Sequence, residues 1–368
     1  MATDKSSSED PKLGRTLRND FSQVDFIGEI KKEFRELKNF YIDEQKKERL
    51  KNMNRASGGF HVFIWLVKSL FFRLNPFRRI MTVLGVIFFL VGKVSVVDTG
   101  NNSGVIDLGT VGGIMILFVL MLELKDKLLA KTELEGGRKV QKALLPDENP
   151  DIPGWKVWLY SRPANEVCGD LVDYLELSET HVGLTMADVA GKGLSAALMM
   201  SKLQSTIRAI ANDKDSLSKF AENVNHIFHR DSLPSLFASM IYFHVMPGNG
   251  KLKYVNAGHL PPLILKGDSI EELPKGNAAI GIIKDSKFKE QKIELRNGEV
   301  LIVYSDGVTE ATNEVGQFFG KERLINTLKK YKDLPVDKLG EAITRQVEFF
   351  CGDAPRSDDL SLIILKRE

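Results

Sequence analysis

The chain has 368 residues, of which 43% are hydrophobic and 27% are charged, with 51 basic and 49 acidic side chains. This apolar fraction excludes a disordered chain, and the even charge balance excludes a protein that binds polyanions through its overall charge. Two cysteines, Cys168 and Cys351, are too few for a disulfide scaffold, which favours a reduced protein facing the cytoplasm. Residues 1–79 hold 17 basic and 11 acidic side chains, a net charge of +6, so the rest of the chain carries −4.

The first part of the chain is polar and then amphipathic. Residues 1–20 are Ser-rich and without periodicity, which predicts a disordered segment. Within 21–58, apolar residues such as Ile27, Ile30 and Phe34 recur every three or four positions, which predicts a cytoplasmic amphipathic helix. The start of the chain lacks the basic, apolar and small-residue pattern of a secretory signal peptide.

Three apolar segments predict a membrane region over residues 60–122. Residues 60–74 are short and stopped by Pro76, which predicts a helix lying on the membrane, with a membrane-buried arm as the alternative. Residues 80–97 and 104–122 are each close to the roughly 20 residues of a transmembrane helix. Lys and Arg flank the pair and are absent from the stretch between them, so both ends are expected in the cytoplasm. The prediction is a two-pass anchor in the inner membrane, with buried strands or core helices as the alternative.

The remaining chain divides into a helix and a mixed region. Residues 123–146 are charged and helical in pattern, which predicts a linker that either carries a signal or acts as a spacer. In residues 147–368, neighbouring strands with a few longer helices predict an α+β fold rather than repeated βαβ units. The predicted strands are Trp155–Tyr160, His181–Ala187, Phe237–Val245, Lys251–Val255, Leu263–Leu265, Val300–Tyr304 and Leu360–Leu365.

Acidic residues stand at the ends of several apolar runs in this mixed region. Asp188 follows LTMA, Asp306 follows VLIVYS, Asp170 opens LVDYLEL, and Asp358 and Asp359 precede LSLIIL. If these strands share a sheet, their ends can converge, and a cluster of carboxylate oxygens suits Mg²⁺ or Mn²⁺ better than zinc or copper. Each piece alone is weak, because sequences such as SDG are ordinary turns.

Other candidate sites have simpler explanations. DVAGKG at 188–193 resembles an anion site at a helix start but lacks the spacing of a Walker A loop. His226 and His229 lie three apart without a third ligand nearby, which favours a surface face. Cys168 has no local base that would make it a nucleophile. The basic N-terminus has no helix-turn-helix pattern, so no nucleic-acid partner is expected.

Each motif is weak evidence of a site by itself, but eight sequence motifs that occur in a fixed order along the chain are stronger evidence. They are VQKALLP at 140–146, CGDLVDY at 168–174, ADVAGKGLSAALMMS at 187–201, FASMIYF at 237–243, YVNAGHLPPLIL at 254–265, SDGVTEATN at 305–313, FG at 319–320 and SDDLSLIIL at 357–365. With them, residues 137–365 resemble the metal-dependent PPM (type 2C) serine/threonine phosphatases, in particular the bacterial branch typified by SpoIIE and RsbU. The first 136 residues lie outside the resemblance.

The resemblance implies an αββα sandwich over residues 147–368, with two antiparallel sheets and helices outside. It also implies two Mn²⁺ or Mg²⁺ ions that activate a water at one end of the sandwich. Carried across, the ligands are Asp170, Asp188, Asp306 and Asp358, the backbone carbonyl of Val189 and, as the less favoured member of its pair, Asp359. Asp188 is the residue expected to bridge both ions.

Two features depart from the family pattern. Cys168 stands where the family usually has glycine, which puts the shape of the metal loop in question. Eukaryotic members bind the phosphate with an arginine, and Arg162 is the nearest candidate here. His259 in the NAGH motif is expected to be structural, bonding a turn rather than a metal.

The resulting hypothesis is a membrane-anchored phosphatase with its catalytic domain in the cytoplasm. By resemblance, its substrate is phosphoserine or phosphothreonine on a small regulatory protein, such as an anti-anti-sigma factor of a partner-switching pathway. A homodimer is possible for such an arrangement. The alternative is a catalytically silent membrane scaffold that binds its phosphorylated partner without hydrolysing it.

Overall fold

The computed structural model describes residues 50, 55–97, 103–146, 149–178, 181–211 and 216–368. The predicted disordered segment 1–20 and nearly all of the predicted helix 21–58 lie outside the described residues. By its internal contacts the chain divides into two units, residues 1–126 and 127–368. A single helix contributes to both of them.

The first unit contains helices and one hairpin. In chain order these are α1 (Arg55–Arg73), α2 (Pro76–Val91), β1 (Lys93–Val97), β2 (Ser103–Asp107) and α3 (Leu108–Leu144). The α2 helix begins where Asn75 accepts a 2.9 Å hydrogen bond from the backbone N–H of Arg78, with Pro76 as the first helical residue. The β1 and β2 strands pair antiparallel, with Lys93 opposite Asp107.

The predicted transmembrane spans are wrong at the ends that face each other. The α2 helix stops at Val91 because Gly92 leaves the helical conformation with φ +68°. The last residues of the span 80–97 and the first of 104–122 are therefore strands of a hairpin rather than helix. Strands of Val and Ile are as apolar as a membrane helix, so hydropathy alone could not separate the two.

The predicted linker 123–146 is not a separate helix. It is the second half of α3, which runs for 37 residues from Leu108 through Gly136 and Gly137 without a break. Among the described residues, α3 is the helix that is long and apolar enough to cross a membrane. The α2 helix, at 16 residues, is shorter.

The α2 and α3 helices pack closely and leave apolar outer faces. A Cβ atom at Gly112 would lie 2.4 Å from the backbone oxygen of Gly85, so glycine permits this approach. Arg78 ties the two helices together through ion pairs of 2.7 Å to Glu123 and 2.6 Å to Asp126. Large apolar side chains remain exposed on both helices: Ile80, Ile87, Phe89, Leu90, Ile114, Leu117, Leu120 and Met121.

The second unit is an αββα sandwich, as predicted. Its further elements are β3 (Trp155–Arg162), β4 (Asp170–Ser178), β5 (His181–Val189), α4 (Leu194–Ile210), α5 (Leu217–Asp231), β6 (Ala238–Val245), β7 (Lys251–Ala257), β8 (Leu263–Lys266), β9 (Ser269–Glu272), β10 (Gln291–Glu294), β11 (Val300–Tyr304), α6 (Asp306–Thr309), α7 (Gly320–Lys330), α8 (Val336–Cys351) and β12 (Leu360–Arg367). Sheet I has the order β10-β7-β6-β5-β4, and sheet II has the order β3-β12-β11-β8-β9. All pairings within both sheets are antiparallel.

Both faces of the central strands are buried, which explains their continuous apolar sequences. In β6, Tyr242 faces helices α4 and α5, while Phe243 faces the other sheet. In β11, Val303 faces sheet I and Ile302 faces helices α7 and α8. Because successive side chains of a strand point to opposite faces, apolar residues are needed at every position.

The predicted strands are all found, with ends that differ by at most two residues. In the second unit, the strands that sequence periodicity did not predict are β4, β9 and β10. These three lie at sheet edges and carry charged side chains, as in the SIEE sequence of β9. A polar edge strand gives little alternation to detect.

Candidate metal centre

The ends of four strands bring the predicted carboxylates to one end of the sandwich. The β4 strand begins with Asp170 and β5 ends just after Asp188, and antiparallel pairing sets these two residues directly opposite each other. In sheet II, Asp306 follows β11 and Asp358 precedes β12, its pairing neighbour. The sequence predicts that these ends meet on a shared sheet, whereas the structure places Asp170 and Asp188 on sheet I and Asp306 and Asp358 on sheet II.

Burial and mutual repulsion perturb these carboxylates. Asp170 is 3% exposed, and burial together with the charge of Asp188 raises the pKa of its carboxyl well above the usual value. Burial, followed by repulsion from Asp306 and Asp358, raises the pKa of Asp188 to about 7. The pKa of Asp306 is also raised, by burial and then by Asp358. Such a cluster is stabilised by positive charge.

The chemistry of the donor set, carboxylate oxygens, suits a hard divalent cation. Among the described residues, Asp170 Oδ2 is buried and has no hydrogen-bond partner, which is costly for a carboxylate oxygen unless a cation meets it. Within the part of the chain that the structure describes, no three His, Cys, Asp or Glu side chains gather closely enough to hold an ion. Carboxylate repulsion and the 3.1 Å ion pair between Lys192 Nζ and Asp358 both oppose such gathering.

Asp359 has a different environment from its neighbour Asp358. Its two carboxylate oxygens accept 2.7 Å hydrogen bonds from the backbone N–H groups of Ala164 and Gly169. Its backbone oxygen accepts a hydrogen bond from Ser305 Oγ at 3.1 Å. Asp359 thus joins the loop before β4 to the start of β12, and both of its carboxylate oxygens are already engaged.

Arg162 lies near the cluster but is already paired. It ends β3 and forms an ion pair with Glu348 of α8. Together with Asp358 and Gly307, it lines a cavity of about 370 Å³. Arg356 also contacts Glu348, at 3.4 Å, and lines the same cavity. Sequence reasoning missed Arg356, because its position depends on the loop that leads from α8 into β12.

Cys168 is buried beside the carboxylates and is held through its backbone. Its N–H donates to Gln141 Oε1 at 3.0 Å, and its carbonyl accepts from Gln141 Nε2 at 3.0 Å. Burial, and then the charges of Asp359 and Asp170, raise the pKa of the thiol far above neutrality. The side chain is therefore a thiol rather than a nucleophilic thiolate. The sequence motif that contains Gln141 was recognised, but its role in holding this loop was not.

His259 has the structural role expected of it. Its Nδ1 lies 2.9 Å from Ser239 Oγ, and its backbone N–H donates to Asn256 Oδ1 at 2.8 Å. Asn256 donates in return to the carbonyl of His259 at 3.1 Å. Burial lowers the pKa of His259 to about 4, so its imidazole is neutral and contacts β6, while its backbone and the Asn256 side chain hold the turn after β7.

Comparison with known proteins places this architecture in a family. The chain is 28% identical over 305 residues to Protein IcfG of Synechocystis sp., a match that covers 74% of this chain and 48% of IcfG. It is 26% identical over 240 residues to Phosphoserine phosphatase RsbU of Bacillus subtilis, covering 65% of this chain and 71% of RsbU. The chain therefore spans about half the length of IcfG.

The fold is also shared with a solved structure. The SiaA-PP2C domain of Pseudomonas aeruginosa superposes with a TM-score of 0.57 at 21% identity, covering 66% of this chain and 99% of that domain. The family model described as Stage II sporulation protein E (SpoIIE) matches residues 178–368, about half of the chain. This chain belongs to the SpoIIE family.

Proposed function

We propose that this chain is a metal-dependent protein phosphatase that hydrolyses phosphoserine or phosphothreonine on a regulatory protein. The observation that carries the proposal is the pairing of Asp170 with Asp188 across β4 and β5, beside Asp306 and Asp358 of the other sheet. Four carboxylates held in like-charge proximity destabilise the fold unless they serve a cation. Two relatives named as phosphoserine phosphatases, RsbU and RsbP of Bacillus subtilis, support the reaction class.

Each residue has a proposed role in that reaction. The residues proposed to hold two Mn²⁺ or Mg²⁺ ions are Asp170, Asp188, Asp306 and Asp358, with the backbone carbonyl of Val189. Such ions would lower the pKa of a water and neutralise charge on the phosphoryl oxygens. Asp359 fixes the loop that bears Asp170 through the Gly169 amide. Arg162 is the proposed contact for the phosphate. To bind it, Arg162 would release the carboxylate of Glu348, with which it now forms an ion pair.

A regulatory phosphoprotein is the proposed substrate. The name of RsbU specifies phosphoserine, and the family resemblance favours an anti-anti-sigma-like partner. A silent scaffold that binds this partner without hydrolysis is the second candidate. It is favoured by the separation of the carboxylates at the candidate metal centre, since among the described residues no three acidic side chains lie close enough together to hold an ion.

Turnover of a phosphoserine peptide separates these two functions. With the full-length chain in detergent, we expect release of phosphate that depends on added Mn²⁺ or Mg²⁺ and stops with chelator, because charge on the phosphoryl group needs cations. Calorimetric titration of Mn²⁺ into the same protein measures binding independently of turnover. Metal binding without phosphate release would favour the scaffold, and absence of both would contradict the proposed metal centre.

We further propose that residues 60–122 anchor the chain in the inner membrane, with the phosphatase in the cytoplasm. The apolar outer faces of α2 and α3 and the length of α3 support this placement. Ion pairing of Arg78 with Glu123 and Asp126 satisfies the charges at one end of the helix pair. The helix pair would cross twice, with the β1–β2 hairpin at the external end.

A charge introduced into α3 tests the anchor. Leu117 is exposed within the predicted span, whereas Leu129 is exposed on the same helix beyond it. Leu117→Lys is expected to release the chain from membranes into alkaline carbonate, because a central lysine costs about 3 kcal/mol in a spanning helix. The matched control Leu129→Lys should remain membrane-bound. Equal extraction of both variants would argue against a span at this position.

A further inference from the structure

A basic cleft opens beside the carboxylate cluster. It has a volume of about 760 Å³ and is lined by residues of α3, the end of β3 with the loop after it, the loop after β5 and the loop before β12. Its cationic lining residues are Arg138, Arg162, Lys192 and Arg356. Glu166 is the acidic residue in the lining, so the lining carries a net charge of +3. The whole chain, by contrast, carries a formal charge of +2.

The basic cleft is continuous with the candidate metal centre. Arg162 and Arg356 line both this cleft and the smaller cavity that contains Asp358. Lys192 reaches from the cleft to the Asp358 carboxylate, at 3.1 Å. A molecule that lies in the cleft therefore lies beside the residues proposed to carry out hydrolysis.

The cations of the basic cleft are short of partners. Some exposed lysines elsewhere on this unit have a carboxylate to themselves, as Lys266 has Glu271, and others share one, as Lys219 and Lys287 share Glu222. In the cleft, Arg162 and Arg356 share the single carboxylate of Glu348. Arg138 has no carboxylate within 4.0 Å among the described residues. Such a surplus attracts anions.

We propose that the basic cleft binds the acidic peptide segment that flanks the phosphoserine of a protein substrate. This proposal rests on the proposed phosphatase function and specifies which substrates it accepts. A phosphoryl group alone is too small to engage cations contributed by one helix, one strand end and two loops across a cleft of about 760 Å³. An extended segment with several carboxylates matches both the length and the charge of the lining.

The α3 helix lines the basic cleft through Arg138. Arg138 lies on this helix one turn before Gln141, whose amide holds the backbone of Cys168. The helix therefore contributes a substrate contact in addition to supporting the loop that bears Asp170. Movement of α3 would alter substrate binding as well as the metal centre.

Paired peptides test the assignment of the cleft. One phosphoserine peptide carries aspartates on both sides of the phosphoserine, and its partner carries asparagines at the same positions. For the full-length chain we expect a higher kcat/KM for the aspartate peptide, through a lower KM. Arg138→Gln and Arg356→Gln should each lower this preference about threefold to fivefold, the range of a partly screened charge contact. Arg345→Gln, an exposed arginine of α8 outside the lining, should keep it.

The outcomes distinguish this proposal from the function on which it rests. Hydrolysis of a small aryl phosphate with no preference between the peptides would overturn the cleft assignment and leave the phosphatase standing. Failure to hydrolyse any of the three substrates would overturn both. An unchanged peptide preference in both variants would overturn the peptide proposal; if phosphatidylserine added to the chain in detergent also inhibited turnover by the wild type but not by the variants, the cleft would be assigned to lipid headgroups.

Discussion

Replacing Asp188 with asparagine is expected to lower phosphopeptide turnover at saturating Mn²⁺ at least about a hundredfold, while making the metal-free protein more stable. Activity falls because the proposed bridging carboxylate loses its charge. Stability rises because, without cations, the negative charge of Asp188 destabilises the fold. Burial disfavours this charge, and the charges of Asp306 and Asp358 repel it. Asparagine keeps the size of the side chain and removes the destabilising negative charge.

The stability gained by the Asp188→Asn variant over the wild type increases with pH. The pKa of Asp188 is about 7 in the folded chain and 3.8 in its reference state, so the folded protein holds the proton more tightly. The wild-type chain therefore loses stability as the pH rises from about 4 to about 7, because Asp188 must then ionise in the folded state. The variant has no carboxyl group at this position and is spared this loss. Above pH 7 the variant should exceed the wild type by roughly 1–3 kcal/mol in free energy of unfolding.

Thermal unfolding of metal-free protein at about pH 4.5 and about pH 8 measures this difference. Asp285→Asn, at an exposed aspartate outside the cluster, is the matched control and should leave both turnover and stability unchanged. A variant at Asp188 that kept its turnover would exclude this residue as a metal ligand. A variant that became less stable at pH 8 would show that the carboxylate is satisfied without a cation.

Replacing Gln141 with alanine is expected to weaken both the fold and the response to Mn²⁺. The side chain is buried and bonds the backbone N–H and carbonyl of Cys168 and, at 3.3 Å, the carbonyl of Ala197. Its removal leaves these backbone groups unpaired, which costs about 1–3 kcal/mol in free energy of unfolding. Because Cys168 precedes Asp170 by two residues, we expect an approximately tenfold loss of Mn²⁺ affinity.

The final turn of α3 is also held by side chains of α4. Gln204 and Arg208 of α4 donate hydrogen bonds of 2.8 Å and 3.0 Å to the carbonyl of Leu144. Both side chains also contact the buried Asp173 of β4. The end of α3 is thus joined to the strand that begins with Asp170 and to the helix that follows Asp188. This arrangement supports the proposal that α3 influences the metal centre rather than serving as a spacer.

Calorimetric titration of Mn²⁺ at equal folded fraction tests this coupling. Lys142→Ala changes the adjacent, exposed residue of the same helix and should leave the affinity unchanged. Gln141→Glu retains an acceptor for the Cys168 N–H but lacks the donor, so it should fall between the wild type and Gln141→Ala. If Gln141→Ala lowered stability with unaltered Mn²⁺ affinity, α3 would be a structural spacer at this point.

The strands and most of the carboxylates were accessible from local sequence. Runs such as VLIVY are apolar at every position because both faces of β11 are covered, and this local property is visible without a structure. Asp188 and Asp306 could be selected because each directly follows such a run. Their common location did not follow, because antiparallel pairing aligns strand ends only within one sheet, and Asp188 and Asp306 lie on different sheets that meet through packing of the sandwich. The remaining ligand set came from resemblance to a family.

Other features depend on contacts between residues far apart in the chain. Asp358 and Asp359 are neighbours with the same side chain, yet Asp359 is engaged by the amides of Ala164 and Gly169, nearly 200 positions away. The basic cleft likewise needs Arg138 and Arg356 to meet across more than half of the chain. Local patterns specify which backbone shape each segment prefers. Pairing partners are selected by packing of the whole sandwich, because side-chain burial and the hydrogen bonds between strands join segments that are distant in the chain.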